Sequence, residues 1–164
     1  MILRQEKSTQ QLFDQLLSME RDVKKELAAQ ESFIKQFQAL AQKDREDLPI
    51  IDYLSCPAAI FERGGVICKA NRLLLARTDL PRTGIAGAKI SFLNRITDEN
   101  YSLMEAAESV FYGKAALLSR LSYLLTLFCR NWDYSVDENY HCALLFPLPD
   151  SEGRILRGVV MLLE

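Results

Sequence analysis

Residues able to do chemistry are few in this chain, and their spacing does not bring them together. There is one histidine, His141, and four cysteines, Cys56, Cys68, Cys129 and Cys142. His141 and Cys142 are neighbours in an apolar stretch that reads as a strand. Neighbours on a strand point to opposite faces, so the two cannot work as nucleophile and base. No CxxC pair is present, and one histidine gives no zinc-ligand spacing. The expectation is no metal site, with the cysteines as buried free thiols. Neither G-x-S-x-G nor G-x-x-x-x-G-K-[ST] occurs, which removes the usual hydrolase elbow and phosphate-binding loop. Glu105 and Glu108 sit three apart in a helix-forming segment and read as a solvated helix face. No catalytic residue is assigned. The chain is expected to bind or relay, not to catalyse.

Composition limits the partners. The 164 residues are 49% hydrophobic and 26% charged, which suits one globular domain with an added element. The net charge is −2 and the basic residues are scattered, so no nucleic-acid partner is expected. The longest apolar runs, such as 121–129, are too short to span a membrane. The first residues lack the layout of a signal peptide, and a cytoplasmic location is expected.

Two regions differ in grammar. All seven glycines lie at or after Gly64, and residues 1–47 have neither glycine nor proline. Those residues are rich in good helix formers and carry eight basic against nine acidic side chains. Leu12, Leu16, Met19, Val23, Leu27, Ile34 and Phe37 recur at helical spacing. Residues 1–47 are therefore predicted to form one long amphipathic, coiled-coil-like helix. Its apolar stripe needs a cover, either a second copy in a homodimer or the globular region. Leu48-Pro49 ends it, and a short helical segment follows over 50–54.

The rest, 48–164, reads as one domain. Ala58-Ala59-Ile60-Phe61-Glu62 and Val66-Ile67-Cys68-Lys69-Ala70 read as two strands of a hairpin. Gly64-Gly65 supplies the positive φ angles of its turn, and Asn71 caps a helix over 72–78. A short helix is expected over 92–96 with Ser91 as cap, and a longer one over 99–112 after Thr97-Asp98. Residues 115–132 read as an irregular strand or a helix-to-strand transition, and 131–139 as a loop. Residues 140–148 and 155–163 read as strands joined by Pro149-Asp150-Ser151-Glu152-Gly153. Both of these strands are apolar on both faces. A half-solvated antiparallel sheet would be polar on one face, so both faces of this sheet must be covered. Helices of the domain supply one cover, and the N-terminal helix or a second subunit supplies the other.

The order of hairpin, Ala70-Asn71, short helices, longer helix and closing hairpin resembles a PAS domain over about residues 50–164. The ending Phe146-Pro147-Leu148-Pro149-Asp150-Ser151-Glu152-Gly153 followed by Val159-Val160-Met161 also resembles that family. The resemblance implies an α+β fold: a five-stranded antiparallel sheet with helices on one face, here preceded by the long helix. It implies a signal-sensing module of a bacterial-type signal-transduction or transcription-regulatory protein, binding a small ligand or relaying through a helical dimer. Kinase, cyclase or transcription-regulating output domains are the partners such modules serve. A ligand-free dimerisation module is the competing reading, with a GAF-like ligand-binding domain as the competing fold.

Within the resemblance, cofactors can be compared. The light-sensing flavin class needs a cysteine in an Asn-Cys-Arg-like helix, which this chain lacks. The haem class carries a histidine on the longer helix, and residues 99–112 have none. The cofactor is left unassigned. Phe61, Phe92, Met104, Phe111, Tyr123, Leu127 and Leu145 are candidate walls of an apolar pocket, with His141 as its one titratable member. The same residues would equally make a filled core.

Overall fold

A computed structural model describes the chain apart from Met1, Lys25, residues 44–48, Trp132, Ser135, Asp137 and Glu138. It divides into two compact units, Met1–Ser55 and Cys56–Glu164, a boundary eight residues beyond the one expected. Residues 44–47 of the predicted helix lie outside the described residues.

The N-terminal unit corrects the single long helix. It holds α1 (Ile2–Glu20) and α2 (Leu27–Lys43), followed by a 3-10 turn over Pro49–Tyr53. Between the helices, the N–H of Asp22 bonds the carbonyl of Met19 and that of Val23 the carbonyl of Glu20, closing turns instead of continuing α1. The break needs neither glycine nor proline. Asp22 and Val23 are modest helix formers, and packing of α1 on α2 outweighs continuation of one helix. Gln36 Nε2 donates to Gln15 Oε1 across the two helices at 3.4 Å, and Phe13 stacks on Tyr53 with centroids 4.2 Å apart. Buried Glu20, the last residue of α1, accepts from the backbone N–H and hydroxyl of Ser55 at 3.2 and 3.0 Å. The expected stripe is therefore split: Leu12, Leu16 and Met19 lie on α1, Val23 in the turn, and Leu27, Ile34 and Phe37 on α2. Leu16, Val23 and Phe37 are buried, whereas Leu27 is 70% exposed.

The second unit is a five-stranded antiparallel sheet with the order β2-β1-β5-β4-β3. Its strands are β1 (Ala58–Glu62), β2 (Val66–Ala70), β3 (Ala116–Leu118), β4 (Cys142–Pro149) and β5 (Ile155–Leu163). The Gly64-Gly65 turn joins β1 to β2 with φ of 79° and 77°, values that cost glycine little. Ala59, Phe61, Ala143, Leu145, Val160 and Leu162 share the face that packs on the helices. Ala58, Ile60, Leu144, Phe146, Val159 and Met161 alternate onto the other face and make its centre apolar, with Lys69 opposite Ile60 and Arg157 opposite Leu148 toward its margins. Opposite Phe61 in the register stands Gly158, where a Cβ would lie 2.6 Å from Val110 and 2.8 Å from the Phe61 ring. Glycine there lets a turn of the helical layer touch the sheet backbone.

Helices of this unit are short. They are α3 (Arg72–Arg77), α4 (Tyr101–Ser109) and α5 (Leu124–Leu127), with 3-10 turns over Asp98–Asn100 and Val110–Tyr112 at the two ends of α4. Three local expectations are corrected. Residues 92–95 form turns and no helix: the Ser91 hydroxyl accepts from the N–H of Leu93 at 3.1 Å, as a cap would, but it also donates to the carbonyl of Gly64, and the Ser91 backbone bridges Val66. Thr97 makes no side-chain cap. In 115–132 the strand comes first and the helix second, the reverse of the transition expected. Arg120 and Tyr123 take left-handed conformations between them (φ 59° and 60°). Buried Asn100 holds that link, giving Nδ2 to the carbonyl of Ser122 and taking its N–H.

The β4–β5 turn is organised by Asp150. Its Oδ1 accepts from the N–H groups of Glu152 and Arg154, each at 2.9 Å, and its Oδ2 from Arg154 Nε at 3.2 Å. Desolvation pushes this carboxyl upward, but the backbone N–H groups and the Arg154 guanidinium outweigh it and hold the carboxyl below its ordinary 3.8. A depressed folded value contributes stability above 3.8, and the contribution is lost as pH falls through the folded value. The amide resonances of Glu152 and Arg154 are expected to titrate together below pH 3.8. An Asp150→Asn variant should lose that step, and a shared titration above 3.8 would contradict the assignment.

Candidate functional site

The predicted pocket lies between the sheet and the helical layer. Phe61 on β1, Phe92, Phe111 after α4, Leu127 on α5 and Leu145 on β4 are all buried there in one cluster. Phe61 meets Phe92 edge-on with centroids at 5.2 Å and Phe111 edge-on at 5.9 Å. Phe92 stacks on Phe128 at 4.9 Å. These separations are those of directly packed rings. The expected walls are therefore in contact, and the sequence reading missed Phe128, the ring that completes the column. Its spacing within the apolar run 121–129 was the available signal.

Three candidates are not in the cluster. Met104 is half-buried on α4. Tyr123 is 62% exposed, since its left-handed backbone turns it away from the position a regular helix would give. His141 is exposed and precedes β4. Its Nδ1 lies 3.2 Å from the carbonyl of Leu121, and its own backbone groups bond Leu163 and Leu121. It ties the link before α5 to the sheet and does not face the ring cluster.

All four cysteines are free, Cys56 and Cys129 buried and the other two half-buried. Burial pushes the Cys68 thiol up to about 11, and the nearby Glu62 carboxylate adds to the rise. A thiol held so high is almost wholly protonated at neutral pH and a poor nucleophile. Among the described residues no group of three or more His, Cys, Asp and Glu could hold a metal ion. No described helix is long and apolar enough to cross a membrane.

A cleft of about 250 Å³ opens elsewhere, between the β1–β2 turn and the end of α4. Arg63, Gly64, Leu93, Ala107, Glu108, Phe111 and Tyr112 line it. The guanidinium of Arg63 lies 5.0 Å from the centre of the Phe111 ring. Sequence reading passed over Arg63, since a lone arginine beside a glycine turn carries no pattern.

The architecture now stands as five antiparallel strands, an Asn-capped helix leaving the first hairpin, and all helices of the unit packed on one face. The fold is PAS-like. No family model and no curated protein matches the chain. Among solved structures, the chain is similar to a sensory box sensor histidine kinase from Vibrio cholerae. The identity is 15%, over 77% of this chain and 95% of that one, with a TM-score of 0.45. A variant of Vivid is similar at 15% identity over 67% and 82%, again with a TM-score of 0.45. Likeness at this level transfers no activity or ligand to the PAS-like unit; the sheet and its helical layer carry the fold.

Proposed function

We propose that the chain is a PAS-type sensing and relay module of a signal-transduction or transcription-regulatory protein, working by changes in packing rather than by bond chemistry. The observation that supports this best is the ring column Phe111–Phe61–Phe92–Phe128. It runs from the turn after α4, through β1, to the end of α5. Well-packed interiors rearrange between discrete states and do not deform smoothly, so such a column can pass a shift from one edge to another. Rings already in contact favour relay over an internal cofactor. A dimerisation module is the second, compatible reading, but the sheet face of Ile60, Leu144, Phe146, Val159 and Met161 is already buried within one chain and does not carry it. Kinase, cyclase or transcription-regulating domains are the outputs such a module would serve.

Native mass spectrometry of the full chain tests both readings at once. The expected species is a dimer whose mass equals two polypeptides. A monomer would overturn the dimerisation reading, and an organic molecule held in the interior would overturn the closed ring column on which the relay rests.

A further inference from the structure

The cleft beside the β1–β2 turn has one positive and one negative wall. Arg63 stands on the turn side and Glu108 on the last turn of α4, both exposed and both lining the same space. Among the described residues the ion pairs are those of Arg154 with Asp150 and Glu152, so Arg63 and Glu108 pair neither with each other nor with another side chain. The Phe111 ring holds the guanidinium in place while leaving its N–H fork open. An arginine held this way presents two parallel donors matched to a carboxylate. Glu108 lies on the last turn of α4, ahead of the 3-10 turn Val110–Tyr112, and its carboxylate lines the same space. A cation placed there would meet that carboxylate. Between the charged walls, Gly64 and Ala107 leave room, and Leu93 and Phe111 supply apolar surface. The volume of about 250 Å³ falls below the 300 Å³ or so at which drug-sized sites begin.

The geometry points to a binding site for a small zwitterion, a free α-amino acid with an apolar side chain. Its carboxylate bonds Arg63, its ammonium faces Glu108, and its side chain rests on Leu93 and Phe111. The site shares only Phe111 with the ring column and its charged walls, Arg63 and Glu108, are not part of it, so binding there stands whether or not the relay reading holds.

The test is an NMR titration of the full chain with L-leucine at millimolar concentrations, following the amides of Gly64 and Ala107. Saturable shifts at both are expected. Arg63→Ala and Glu108→Gln should each weaken binding about tenfold or more. Both side chains are exposed, so the variants should keep the native spectrum elsewhere. Leucine amide, lacking the carboxylate, and 4-methylpentanoate, lacking the ammonium, should bind correspondingly worse. No shift at these amides with any apolar amino acid overturns the site. Binding of 4-methylpentanoate equal to that of L-leucine reduces it to an anion site and overturns the zwitterion. Shifts confined to Phe92 and Phe128 would place the ligand in the interior, overturning this site and the closed interior together.

Discussion

Phe92→Ala is expected to lower the stability of the globular unit by about 4 kcal/mol. Phe92 is fully buried and touches two other rings, Phe61 edge-on and Phe128 face-on. Truncation removes the transfer energy of the ring and leaves a hole that its neighbours cannot close without leaving their rotamers. Urea denaturation followed by circular dichroism should show a lower midpoint with a similar slope. The hole would be apolar, so it should stay dry and accept a small apolar guest. Benzene should therefore raise the melting temperature of Phe92→Ala but not that of the native chain. A loss under about 1 kcal/mol would mean that the rings do not pack as a column, and the relay reading would lose its support.

Asn71→Ala is expected to cost about 3 kcal/mol. Asn71 is 1% exposed and its short side chain serves three strangers. Its Oδ1 accepts from the N–H of Leu74 and the N–H of Ala58, each at 3.0 Å. Its Nδ2 donates to the carbonyl of Cys56 at 2.8 Å. Removal of a cap alone costs about 1 kcal/mol. Here the strand entry also loses a donor partner and an acceptor partner, and buried polar groups left unpaired cost about 1–3 kcal/mol each. Hydrogen exchange should show Ala58 and Leu74 losing protection together, since one side chain holds both. Loss at Leu74 alone would reduce Asn71 to an ordinary cap.

That contrast shows what could be read in advance. The Gly64-Gly65 turn and the Asn71 cap depend on neighbours within four residues, and both were legible. So was β5, whose predicted limits, 155–163, are those observed. The bonds from Asn71 to Cys56 and Ala58 were not legible, because they span 15 and 13 residues and exist only once the strands are aligned. The break at 21–24 was hidden for a related reason. Nothing local forbids a helix there, and the hairpin is chosen by α1 packing on α2 and by Ser55 reaching Glu20. Among the site candidates, Phe61, Phe92, Phe111, Leu127 and Leu145 do converge, as apolar residues at strand and helix spacing should. Tyr123 and His141 were misplaced because one left-handed residue, or one step beyond a strand end, reverses the side to which a side chain points. Arg63 was invisible, since its meaning lies in Phe111, Glu108 and the space between them.

The strand order has a consequence for how the molecule is made. β5 lies at the centre of the sheet, bonded to β1 on one side and β4 on the other, yet it follows every other strand in the chain. As the polypeptide leaves the ribosome, the hairpin of β1 and β2 emerges almost a hundred residues before its second partner. Until residues 155–163 arrive, β1 and β4 each present an open edge and an apolar face. Closure then joins the distant pieces in one step, which makes folding slow for a chain of this size. It also makes the nascent chain, rather than the finished protein, the form most exposed to mispairing.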